Sequence, residues 1–173
     1  MLLNFHGKQP QIAPDVFVAP NAVIVGDCEI KSGATIWFGV LIRADVNRIV
    51  IGSITNIQDL SVIHCDEAEP PVVLGTRVTV GHRAIVHGCT IEDEAMIGMG
   101  AVILNRAKVG RNSIVAAGSL VKEDFVVPPG TLVAGVPAQI KRELQPAEIE
   151  WLKKVAEGYY QLGKKYRQLT PTT

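Results

Sequence analysis

Along most of the chain an aliphatic side chain recurs at every sixth position. The series Ile12, Val18, Ile24, Ile30, Ile36, Ile42 resumes at Ile51, Ile57, Ile63 and again at Leu74, Val80, Val86. A last block runs Ile91, Ile97, Ile103, Val109, Val115, Val121. All eighteen anchors are Ile, Leu or Val, although such residues make up under a third of the chain. Four residues after most anchors the side chain is small, as at Ala22, Cys28, Ala34, Thr55, Ser61, Ala84, Ala95, Ala101, Ala107 and Ser113. Glu67 and Phe125 break this rule near block edges.

A period of six suits neither an α-helix nor an alternating strand joined by hairpins. It suits a short strand and a corner, repeated. Three strands per turn would make a triangular prism with the anchors stacked inside, and eighteen repeats predict about six coils. Gly26-Asp27, Ser32-Gly33 and Arg111-Asn112 supply the backbone freedom that corners require. Two interruptions fall between blocks, "NRIV" at 47–50 and "DEAEPPVV" at 66–73. The paired prolines place the second outside the coil.

The register is expected to stop after Val121, with "VVPPGTLVAGVPAQ" (126–139) as an extended, proline-pinned exit. Pro146 suits the first turn of a helix. Leu152, Val155, Tyr159, Leu162, Tyr166 and Leu169 follow at steps of three and four, an amphipathic seam. The chain therefore divides into an all-β prism over 1–139 and a helical segment over 140–173. The helix must bury its stripe on the prism's flank or against a neighbouring subunit.

Composition narrows the function. Lysine plus arginine equals aspartate plus glutamate at 17 each, which points away from nucleic acid. No run approaches the ~18 apolar residues of a membrane span. The start, "MLLNFHGKQP", lacks a signal-peptide pattern. Three cysteines are too few for a disulfide framework, so a soluble cytoplasmic protein is the expectation.

Chemistry enters with the histidines. Repeats starting at Ile42, Ile63 and Val86 share one face of the prism on successive coils, about 4.8 Å apart. Arg43, His64 and His87 each follow their anchor, so they form one outward column. Asp59 and His82 sit two places after anchors on a different face, which aligns Asp59 beneath His82 near a corner. His64 and His87 can therefore share a ligand within one chain, whereas His82 must come from a second chain if all three are to meet. Prisms packed in threes would then carry three shared sites. Three neutral imidazoles with an open fourth position are the ligand set of a catalytic zinc, which lowers the pKa of bound water toward ~7. His6 lies outside the register and has no assigned role, and Cys65 and Cys89 read as small corner residues.

"RADVNRIVIGSITNIQDLSVIH" (43–64), with "VGHRAIVHGC" (80–89) and "PPGTLVAGVPA" (128–138), closely resembles the gamma-class carbonic anhydrases and their bacterial homologues. The resemblance spans most of the chain. It implies a left-handed parallel β-helix and a homotrimer with Zn2+, or in some members Fe2+ or Co2+, at each subunit interface. It assigns His64 and His87 as ligands from one subunit and His82 as the ligand from its neighbour. Gln58 matches the amide that hydrogen-bonds the metal-bound water or hydroxide. Arg43, Asp45 and Asp59 match a polar interface cluster, Asn56 a supporting or turn residue, and Tyr159 a tyrosine that reaches the metal pocket in some relatives. The implied reaction is reversible hydration of CO2 to bicarbonate by metal-bound hydroxide. Some members carry a glutamate directly after the Arg-x-Asp aspartate, where this chain has Val46, so the proton is expected to leave by another acidic side chain or to bulk water. Two other readings share the scaffold: a hexapeptide acyltransferase using a histidine base, and a non-catalytic metal-bound trimer.

Overall fold

The structure, a computed structural model, describes residues 1–169. The six-residue anchors stand in register on successive coils, Ile36 on Ile57, Ile57 on Val80, Val80 on Ile97 and Ile97 on Val115. Every anchor from Ile24 to Val121 is 0–1% exposed, and only Ile12 and Val18, at the open first coil, are partly buried. The hydrophobic effect acts here as a one-dimensional stack, each coil burying its anchors on those of the next.

The result is a parallel β-helix of about seven turns with one C-terminal helix. Its first face carries the anchors Ile12, Ile30, Ile51, Leu74, Ile91 and Val109, and its third face carries Ile24, Ile42, Ile63, Val86, Ile103 and Val121. Those two faces join into one sheet, because Val23–Ile30 and Leu41–Ile51 run unbroken round the corner between them. The segment 47–50 is thus strand, while 66–71 turns outside the ladder between Val62–His64 and Val72–Leu74. The second face holds Phe17–Val18, Thr35–Ile36, Asn56–Ile57, Thr79–Val80, Met96–Ile97 and Ile114–Val115.

Corners are set by register more than by glycine. Three residues after most anchors the backbone turns left-handed, with side chains as large as Ile54 (φ 58°) and Leu60 (φ 63°). Such conformations cost L-residues about 1–2 kcal/mol each, which the ladder and core contacts of each coil must offset.

Two expectations need correction. The register does not stop at Val121: Val127 pairs with Val109 and Val133 with Val115, both fully buried, so the prism has about seven coils and not six. Pro128 and Pro129 do not mark an exit; they fall just after the anchor Val127, in the last described coil on that face. Among the described residues no further strand lies above Val127 to receive an N–H, so proline loses nothing there. After Thr131–Gly135, Ala138–Glu143 returns antiparallel on it, so the expected boundary at 139/140 falls within this return strand.

The second correction concerns the helix, Pro146–Tyr166, whose first residue is the expected proline. Its inner stripe is Leu152, Ala156 and Gly163, flanked by the partly buried Tyr159 and Tyr166, whereas Leu162 and Leu169 are exposed. Small residues let the helix lie close on strands 17–18, 35–36, 56–57 and 79–80 of its own chain. A Cβ at position 163 would stand 2.4 Å from Thr35 Cγ2. Trp37 anchors the contact, with ring centroids 5.5 Å from Tyr159 and 5.0 Å from Tyr166. Among the described residues no helix is long and apolar enough to cross a membrane.

Candidate metal centre

The third face carries histidines at both of its edges. At the edge facing the first face, Arg43, His64 and His87 stand in one column: Arg43 pairs with His64 across the ladder, and His64 with His87. His64 Nδ1 faces His87 Nε2 at 3.1 Å. A tetrahedral zinc with bonds of about 2.0–2.1 Å sets its nitrogen ligands about 3.3 Å apart.

The outer nitrogens fix the tautomers. His87 Nδ1 meets Asn105 Oδ1 at 2.5 Å, and the Asn105 amide nitrogen donates to Asp66 Oδ2 at 3.1 Å, so the amide orientation is determined from both ends. A carbonyl oxygen can only accept, so the His87 proton sits on Nδ1 and Nε2 is bare. His64 Nε2 likewise donates to Asp45 Oδ1 at 3.2 Å, so Nδ1 carries the lone pair, which the Arg43 guanidinium approaches at 3.4 Å. Two lone pairs then face one another at 3.1 Å, an arrangement that a cation bound between them would stabilise. Burial and the Arg43 guanidinium hold the His64 ring below the usual histidine pKa despite Asp45, which favours the neutral, ligating form. Burial pushes Asp45 up, but the Arg43 hydrogen bond and charge outweigh it and keep the carboxyl ionised below its ordinary range.

At the opposite edge, His82 Nδ1 lies 2.9 Å from Asp59 Oδ2, so Nε2 is the nitrogen left for a ligand. Gln58, one residue before Asp59, is buried and donates its amide N–H to Asn56 Oδ1 at 3.2 Å, while Asn56 donates to Thr79 Oγ1 at 2.9 Å. Burial raises the Tyr159 phenol, and the Asp59 carboxylate adds to the shift. The expected cluster of Arg43, Asp45 and Asp59 is therefore divided within one chain. Arg43 and Asp45 serve His64, and Asp59 serves His82.

Among the described residues the donor atoms that lie together, all within 4.8 Å, belong to His64, Asp66 and His87; His82 is not in that group. All three histidines commit the nitrogen away from the site to a carboxylate or amide oxygen, the arrangement that orients metal-ligating imidazoles. The donor set fits a divalent metal. Asn105 is the participant that pattern reading missed. It stands one coil beyond His87, two places after its anchor, and its close approach requires Gly88, where a Cβ would fall 2.4 Å from Asn105 Oδ1. Cys28, Cys65 and Cys89 are buried free thiols, and burial pushes Cys28 and Cys89 up to about 12.

Fold and donor set together define a hexapeptide-repeat β-helix protein carrying a His64–Asp66–His87 cluster able to hold a metal. The bacterial transferase hexapeptide (six repeats) matches residues 9–44 and 88–123. A carbonic anhydrase of Geobacillus kaustophilus is 40% identical over 169 residues, covering 98% of this chain and 92% of that protein. The mitochondrial gamma carbonic anhydrase 2 of Arabidopsis thaliana is 43% identical over 168 residues, or 94% of this chain; the chain spans 60% of that relative's length. A Bacillus cereus crystal structure described as a putative acetyltransferase superposes with a TM-score of 0.96 at 36% identity, over 98% of both chains. The chain belongs to the gamma carbonic anhydrase family.

Proposed function

We propose that the protein catalyses reversible hydration of CO2 to bicarbonate at a divalent metal centre, with Zn2+ as the leading metal, shared between neighbouring subunits of a homotrimer. One observation carries the reading: three histidines whose bare nitrogens lie at the two edges of one face, each with its other nitrogen held by an oxygen acceptor. The face between those edges supports association. Its outward positions are Val23, Leu41, Val62, Ile85, Val102 and Leu120, and the helix packs on a different face. A second copy laid against that column would bring its His82 edge toward this chain's His64–His87 edge.

Bound there, the metal would lower the pKa of its water toward ~7 and supply a hydroxide nucleophile at neutral pH. This chain's residues do the rest. His64 and His87 present neutral nitrogens at a fixed separation, and a neighbour's His82 completes the set. Gln58 commits its N–H to Asn56, so its carbonyl oxygen is the end free to orient a polar hydrogen of the reacting water without adding charge. Arg43 and Asp45 hold His64.

The test is a stopped-flow pH assay on protein of known metal content. Chelator-stripped protein is expected to be inactive and to regain CO2 hydration with Zn2+ or Fe2+. Fully metal-loaded trimer without hydration would overturn the reading in favour of a non-catalytic scaffold. The acyltransferase reading, suggested by the description of the Bacillus cereus structure, predicts acetyl-CoA binding by calorimetry and no metal dependence.

A further inference from the structure

The geometry points to a cation site complete within one chain, made by His64, Asp66 and His87, which captures the metal before subunits associate and exchanges Asp66 for a neighbour's His82 on assembly. The inference rests on the metal centre proposed above but concerns how that centre is filled. Ligand atoms of the three residues lie within 4.8 Å of one another, with no contribution from a second chain. Asp66 Oδ1 is 3.9 Å from His87 Nε2, and its side chain is 57% exposed. Donors around one first-row ion stand about 3–3.4 Å apart when adjacent, so the carboxylate needs to move by no more than about 2 Å.

Asp66 is held for this position. Asn105 clasps both ligands at once, accepting from His87 Nδ1 and donating to Asp66 Oδ2. The segment 65–71 is tied down at its far end, where Asn47 donates to the Glu69 carbonyl at 2.6 Å and Arg106 pairs with the Glu69 carboxylate. Arg106 also pairs with Glu123 and Asp124, which fixes it to the next coil. Two imidazoles and one carboxylate also suit the chemistry of capture: the carboxylate offsets one charge of the arriving dication and is exposed enough to meet it. A neutral imidazole replacing it would leave the centre more positively charged and better able to acidify bound water.

The experiment titrates chelator-stripped protein with Co2+ and follows the visible absorption of the bound ion, comparing wild type, His82→Ala and His82→Ala/Asp66→Asn, each checked for folding by circular dichroism. His82→Ala is expected to bind one Co2+ per chain, more weakly than wild type. Adding Asp66→Asn should weaken that binding by a further tenfold or more, about the loss seen when a group supporting a metal is removed. Equal affinities for the two variants would overturn the inference, as would a His82→Ala protein that binds no Co2+. Wild type failing to bind Co2+ would instead overturn the metal centre itself.

Discussion

An imidazole offered to a metal needs one nitrogen bare and the other occupied, and this chain meets the requirement three times with three different acceptors. Asp45, Asp59 and Asn105 each fix a tautomer, and Asn105 does so without charge. Asn105→Ala should therefore weaken zinc binding by about 10–100-fold in a chelator-competition titration, with the fold retained; unchanged affinity would remove Asn105 from the site. The histidine column was legible because the anchor period fixes which side chains point out on the same face. Asn105 was not, because its contact depends on the short step from Val86 to Ile91 and on the left-handed backbone of Gly88. Burial also decides the thiols. Cys28, Cys65 and Cys89 are at most 1% exposed, so native protein should resist iodoacetamide at neutral pH and label at all three after unfolding. Rapid labelling of the native form would contradict this packing.

Among the elements, the strands were the easiest to read and the helix the hardest. A strand's anchor is defined by its own coil and the next, so six-residue spacing in the sequence carries nearly all the information. The coil ending at Val133 escaped because its corner carries prolines, which look like a stop until one asks whether an N–H was needed there. The helix kept its rhythm of three and four, but its inner stripe is set by how closely it can approach the second face. That favours Ala156 and Gly163 over Leu162 and Leu169. Two glycines of the helix should separate these effects. Gly163→Ala drives a methyl against Thr35 and Phe17 and should destabilise the protein by about 1–3 kcal/mol, outweighing the gain in helix propensity. Gly158→Ala meets nothing within 4 Å and should stabilise by up to about 1 kcal/mol. Thermal unfolding of both variants reads the signs. A Gly163→Ala protein as stable as Gly158→Ala would mean the helix does not lie where the structure puts it.

At the scale of the molecule, the prism's three outer faces have different fates. The second is covered by the chain's own helix, and the first mixes Gln11, Glu29, Thr90 and Lys108 with aliphatics. The third is an aliphatic column with His64 and His87 at one edge and His82 at the other, the two halves of the proposed metal centre. The division of labour was visible in the sequence, because two histidines shared a register position and the third did not. What pattern could not supply was the tautomer of each ring and the carboxylate waiting beside two of them.

The most direct test of this division is complementation between two inactive chains. His64→Ala and His82→Ala proteins are purified separately, mixed in equal amounts, unfolded together, refolded and analysed for bound zinc. An interface is complete only when its His64 side comes from the His82→Ala chain and its His82 side from the His64→Ala chain. Random assembly of a symmetric trimer therefore restores about a quarter of wild-type tight sites, and CO2 hydration should return in the same proportion. A mixture that binds no more zinc than the average of its two components would contradict a centre shared between subunits.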